Sequence, residues 1–189
     1  MKRAFARGPH TYHGWYVVAV CMIVAIVTAR GAFGVFVIPM SEEFGWGRGA
    51  ISIAASMGFL FHGLMQPLLG KAFDRFGGRR VILVSLTIFG LATAALGLTF
   101  HILFVIFMFG VIAGTSFSGT SPANTGALIV KWFRRRRATA VGLNGAGVAL
   151  GGLLIIPLAA YMIQATNWRL AWVTLGLIVL LVAVPPFIW

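Results

Sequence analysis

Acidic residues are almost missing from this chain: its 189 residues include only Glu42, Glu43 and Asp74. That scarcity leaves no carboxylate pair for acid–base catalysis, and none of the three falls within a long apolar stretch. Cysteine is scarcer still. Cys21 stands alone, which excludes an internal disulfide and a cysteine metal cluster. No HExxH helix, Walker loop or nucleophile elbow is present, so the residues point away from an enzyme and supply no site for a metal or other cofactor. Charged residues of both signs reach only 10%, where a soluble globular chain carries about a quarter.

What is abundant is apolar surface. Hydrophobic residues make up 60% of the chain, with a mean hydropathy of +0.97, and several runs reach the ~20 residues that cross a bilayer core as a helix. Breaks in hydrophobicity predict an all-α integral membrane protein. A segment at 1–14 precedes a six-helix bundle over 15–189, with spans near 15–39, 50–70, 81–100, 102–130, 138–164 and 170–189. These use up the chain and leave no room for a soluble domain. The first apolar run, Trp15 to Pro39, is too long for the roughly 7–15-residue core of a secretory signal and reads as a retained helix.

The net charge of +12 would suggest nucleic acid in a soluble protein. Here the basic residues lie between apolar spans, where topology and anionic lipid headgroups account for them and nucleic acid does not. Lys2, Arg3 and Arg7 precede the first span. Lys71, Arg75, Arg79 and Arg80 follow the second, and Lys131 with Arg134, Arg135, Arg136 and Arg137 follow the fourth. The alternate loops hold only Arg48 and Arg169. This asymmetry predicts both termini in the cytoplasm. All six tryptophans fall near predicted span ends, as in an interfacial aromatic belt.

Between the second and third spans runs Gly70-Lys71-Ala72-Phe73-Asp74-Arg75-Phe76-Gly77-Gly78-Arg79-Arg80. It resembles the signature loop of the major facilitator superfamily, at the junction where that family carries it. The glycines allow a tight turn, including positive φ. Asp74 is the only acid on the basic side; the resemblance implies that it pairs with cations and helix ends when an inner gate closes. Trp132-Phe133, the four arginines Arg134 to Arg137, and then Gly142, Asn144, Gly145 and Gly147 resemble the start of the fifth helix in monocarboxylate porters. His13-Gly14-Trp15 partly resembles that family's first-helix motif, without its leading acid. Gly31-Ala32-Phe33-Gly34-Val35-Phe36 is similar to bacterial oxalate/formate exchangers. The fourth span lacks an arginine near Gly110–Gly114, and Gly151-Gly152 is not followed directly by proline; both features set the chain apart from multidrug antiporters.

Arg30 lies ~22 Å along the first helix from Trp15, at a depth where a charge costs at least ~2.5–3.5 kcal/mol and needs a cavity or a partner. Three fates are open to it: snorkelling outward, pairing outside this chain, or meeting an anionic substrate. The porter resemblance, a family with a cationic first-helix residue in this neighbourhood, raises the last. His62 lies in the second span with Gln66 one turn on; it either carries a proton or is satisfied by an interhelical hydrogen bond. In the fourth span, Thr115 to Gly126 is too polar to face lipid, and Pro122 frees a carbonyl one turn earlier. Asn124 and Asn144 sit at equal depth on consecutive helices, as mutual glue or as lining of an inner vestibule. Gly110-x-x-x-Gly114 and Gly147-x-x-x-Gly151 read as close helix contacts.

The resemblance implies the N-terminal half of a major-facilitator fold, itself a 3+3 inverted repeat, with the second six-helix half absent. It implies an alternating-access carrier of a small organic anion such as a monocarboxylate, driven by proton symport or anion exchange, in a bacterial inner membrane. The chain is then expected to be a fragment, to assemble with another half, or to homodimerise. The rival expectation is a non-transporting six-helix subunit, receptor-like or scaffolding.

Overall fold

The computed structural model describes residues 10–133 and 136–187. Six helices are long and apolar enough to cross a membrane: α1 (Gly14–Phe44), α2 (Arg48–Phe76), α3 (Gly78–Leu98), α4 (Ile102–Trp132), α5 (Arg137–Ala165) and α6 (Trp168–Phe187). There is no strand among the described residues. In lipid a helix satisfies its own backbone, which is why this composition yields helices and little else.

Several ends differ from the sequence expectation. α1 does not stop at Pro39 but runs through it to Phe44, so Glu42 and Glu43 ride on its last turn. Gly45 ends it, at φ 66 in the left-handed region where glycine alone escapes a Cβ clash. α2 likewise continues past Gly70 to Phe76 and is closed by Gly77 at φ 86. Gly70, Lys71, Asp74 and Arg75 are therefore helical, and the turn itself is little more than Gly77.

α6 carries a π-helical stretch at Val179–Ala183, and two helices leave helical geometry partway along. α1 is helical to Val27, leaves the helix at Ala29 (φ −62, ψ 99), makes a 3₁₀ turn over Arg30–Ala32 and resumes at Phe33. α4 contains a π-helical stretch at Ile106–Ala113 and breaks at Ser121 (φ −57, ψ 153), where Pro122 starts a new segment. A residue before proline is pushed out of the α region, and Pro122 has no N–H for the Ser118 carbonyl. Asn124 Nδ2 takes over that carbonyl at 2.8 Å.

The helices pack as α1 on α5, α2 on α4 and α3 on α6. Exchanging the first three helices for the last three turns the α1–α5 contact into the α4–α2 contact and leaves α3–α6 unchanged. That is the pattern of a 3+3 repeat, and the two broken helices are the first of each triplet. Both glycine pairs lie on these seams. A Cβ at Gly151 would stand 2.7 Å from the Ile26 carbonyl, and one at Gly114 would stand 2.8 Å from that of Gly58. Small residues let backbones touch where no hydrophobic driving force separates protein from lipid. α2 and α5 are the least enclosed helices and α3 the most.

The tryptophans near the span ends do not all face outward, and Trp189 lies outside the described residues. Trp168 and Trp172 are buried, 5% and 3% exposed. Trp172 stacks on Phe36 with centroids 3.9 Å apart, and Trp168 Nε1 donates to Glu43 at 2.5 Å. Both rings face into the bundle because α6 packs its first turns against the far end of α1. Glu43 also pairs with Arg169 at 2.7 Å, and Arg169 reaches the Thr99 carbonyl at 2.7 Å. One carboxylate thus clasps α1 and α6, and through Arg169 the end of α3.

Candidate functional site

The two helix breaks face each other across a cavity of about 230 Å³. Thr28, Arg30 and Gly31 line it from α1, Phe59 from α2, Phe117 and Thr120 from α4. Arg30 is the only charged residue on this wall. It does not snorkel. Its Nη1 donates to the Gly58 carbonyl at 3.1 Å, and its guanidinium carbon lies 5.1–5.3 Å from the ring centroids of Phe59, Phe109 and Phe117. Ring faces attract a cation, more strongly when it is desolvated. Gly58 makes this possible, since a Cβ there would collide with the guanidinium. No carboxylate neutralises Arg30: among the described residues the one ion pair is Glu43–Arg169. The segment beginning at Pro122 also starts at the cavity, and a helix N-terminus adds positive partial charge. The wall thus carries one positive charge with no carboxylate beside it among the described residues.

His62 lies beyond Phe117, with ring centroids 5.1 Å apart. Ser118 Oγ donates to the His62 carbonyl at 2.7 Å, so its single proton is committed there. The 3.1 Å contact between His62 Nδ1 and Ser118 Oγ then has Nδ1 as donor, which leaves Nε2 as acceptor. His62 is thus held by an interhelical hydrogen bond without using up its second nitrogen. Gln66 Nε2 donates to Ser121 Oγ at 3.0 Å, tying α2 to the break in α4.

Asn124 and Asn144 do not bond each other, and neither borders the cavity. Asn124 serves the Ser118 carbonyl, and Asn144 Nδ2 donates to Thr125 Oγ1 at 2.9 Å. Both are buried, at 7% and 1% exposure. They hold α4 and α5 in place behind the wall.

The Gly70–Arg80 loop lies at the basic end, away from the cavity. Asp74 is exposed and has no ion pair among the described residues. Arg75 stacks over Phe76 at 5.3 Å, Arg79 Nε donates to the Phe187 carbonyl at 2.7 Å, and Arg80 is exposed. Arg134 and Arg135 lie outside the described residues. Arg136 and Arg137 are exposed, and Arg137 Nε donates to the Phe133 carbonyl at 2.7 Å. Phe133 in turn meets Trp15 edge-on, with centroids 5.1 Å apart, so the motifs that open the first and fifth helices are in contact.

The aromatic cage was not foreseen from sequence. Phe59 lies three residues before His62, hence on the same helical face, and Phe117 adjoins Ser118. That spacing was the available signal, hidden among 16 phenylalanines.

Comparison with known proteins agrees with this architecture. The sequence model of the Major Facilitator Superfamily matches residues 18–189. The chain is 30% identical over 172 residues to a probable anion transporter 3, chloroplastic, of Arabidopsis thaliana, covering 86% of this chain and 32% of that protein. It is 30% identical over 149 residues to a voltage-gated purine nucleotide uniporter of Homo sapiens, covering 75% of this chain and 33% of the relative. To the human monocarboxylate transporter 14 it is 27% identical, over 81% of this chain and 30% of that one. The chain spans about a third of the length of these relatives. They are transporters, not enzymes. With six membrane helices, a two-triplet packing and a family match over nearly its whole length, the chain belongs to the Major Facilitator Superfamily.

Proposed function

We propose that these six helices form one half of a secondary carrier for a small organic anion, such as a monocarboxylate, that works by alternating access. The observation that carries this reading is Arg30. It is a charge without a carboxylate, held against a backbone carbonyl and three aromatic rings on the wall of a cavity at two helix breaks. A charge at that depth is costly and marks a functional site by default, and an arriving anion supplies the charge partner that this chain lacks. The names of the relatives support the substrate class: an anion transporter, a nucleotide uniporter and a monocarboxylate transporter.

In this reading the facing wall comes from a second six-helix half, supplied by the same reading frame, by another subunit or by a second copy of this chain. Arg30 attracts the anion. His62, with Nε2 open, stands next to it, and Asn124 and Asn144 keep the α4 break in shape. The basic end faces the cytoplasm and its anionic lipids, in a bacterial inner membrane. The Gly70, Asp74, Arg75, Gly77, Arg79 and Arg80 loop closes the inner gate, and Asp74 finds its cation only in the closed state. Proton symport or anion exchange drives the cycle.

The test is uptake into proteoliposomes by the full natural reading frame, with radiolabelled lactate and oxalate against glycerol. Saturable uptake of either acid, with glycerol excluded, is expected. Equal uptake of glycerol, or none of either acid, would remove the substrate class.

A further inference from the structure

Arg30 borders a second cavity, on a different side from the first. This one is small, about 30 Å³, and its lining includes Phe33 of α1, Phe89 of α3, Phe109 of α4 and Ile155 of α5. Those walls are apolar. Three polar side chains interrupt them: Arg30, Thr93 of α3 and Trp172 of α6.

Two of the three carry an unmet demand. Arg30 Nε and Trp172 Nε1 are both buried N–H donors without an acceptor among the described residues. A buried donor left unmatched is destabilising and rare in native structures. Here the two residues that carry them line the same small space. The third group completes the pattern. Thr93 Oγ1 donates its proton to the Phe89 carbonyl at 2.7 Å, so it can offer only lone pairs.

Two donors and one acceptor are the complement of a single water molecule, which accepts twice and donates once. Buried waters typically make about three such bonds, and the space is of the size that one water needs. A small anion would satisfy the two N–H groups but would face the Thr93 oxygen lone pairs.

We propose that one buried water joins Arg30 to Thr93 and Trp172, making those two residues positioning residues for the Arg30 charge. Nη1 is fixed to α2 through the Gly58 carbonyl, and Nε is fixed to the α3–α6 pair through the water. The guanidinium is then gripped from two sides and aimed at the larger cavity without a carboxylate. The water stands on the two orphan donors; its consequence for transport rests on the anion reading above.

The test pairs a structure with kinetics, on the full natural reading frame. A map at about 2 Å or better is expected to show a water peak within hydrogen-bond reach of both nitrogens. Trp172→Phe keeps the ring stacked on Phe36 and loses the N–H; Thr93→Val keeps the shape and loses the acceptor. Each is expected to raise the KM for the anion about two- to tenfold, the worth of one net hydrogen bond, with kcat unchanged.

No peak at this place in the wild type, or a bromide anomalous signal there after soaking, would overturn the water. A water peak with KM unchanged in both variants would overturn the positioning role. If Arg30→Gln leaves anion uptake intact, the anion reading fails while the peak still decides the water.

Discussion

At the scale of single residues, the site depends on what is missing as much as on what is present. Gly58 has no Cβ, and that gap is where the Arg30 guanidinium lies. Gly58→Ala is expected to displace it and to destabilise the fold by about 1–3 kcal/mol, as overpacking does. Thermal unfolding in detergent, read beside anion binding, checks this; a variant with normal stability and normal binding would show that the guanidinium does not need that space. Asn124→Ala removes the side chain that serves the Ser118 carbonyl freed by Pro122. Polar contacts between membrane helices are worth about 0.6 kcal/mol on average and up to about 1.7. A loss in that range is expected, and Asn124→Ser should recover less of it than Asn124→Gln if reach decides the bond. Arg30 was legible in the sequence as a charge without an acid. Its direction was not, because that depends on Gly58, Phe59, Phe109 and Phe117, which only the tertiary fold brings together.

At the scale of the helices, the break in α4 was legible and the break in α1 was not. Pro122 announces itself, since its ring both removes a donor and restricts Ser121. Ala29 leaves the helix with no proline to force it; the neighbouring Val27 and Thr28 are β-branched and Gly31 is flexible, but such preferences are weak beside packing. Helix ends went astray for a related reason. Pro39 and Pro67 lie inside helices, while Gly45 and Gly77, which can take positive φ, do the stopping. The seams were legible from glycine spacing. Gly151→Leu is expected to push α5 away from α1, because even a single Cβ there meets the Ile26 carbonyl. The expected cost is about 1–3 kcal/mol or more. The same change at Gly152, whose Cβ would meet nothing within 4 Å, should cost far less. Unfolding midpoints for the two variants compare them directly, and equal losses would contradict the seam.

At the scale of the whole molecule, charge and polarity are divided along the membrane normal. Lysine and arginine gather at one end, the Glu43–Arg169 clasp closes the other, and between them Arg30 stands alone on the cavity wall. The six-helix count was legible because it follows from length and hydropathy, each a property of the chain before folding. The site was legible only as a set of polar residues. Which of them meet at the cavity and which stand behind it is decided by how α1 and α4 break. Cys21 is buried, so orientation can be read by single-cysteine labelling. In a Cys21→Ser background, a cysteine at Lys71 should react with a membrane-impermeant maleimide only after the cells are opened, and one at Arg48 before; the reverse order would invert the molecule. The most direct measurement of all is anion uptake by the full reading frame carrying Arg30→Gln, with Arg30→Lys beside it. If Arg30 meets the anion, the glutamine variant loses about ten- to hundredfold in kcat/KM, the worth of a hydrogen bond to a charged group, and lysine restores part of it. Undiminished uptake by Arg30→Gln would contradict the account.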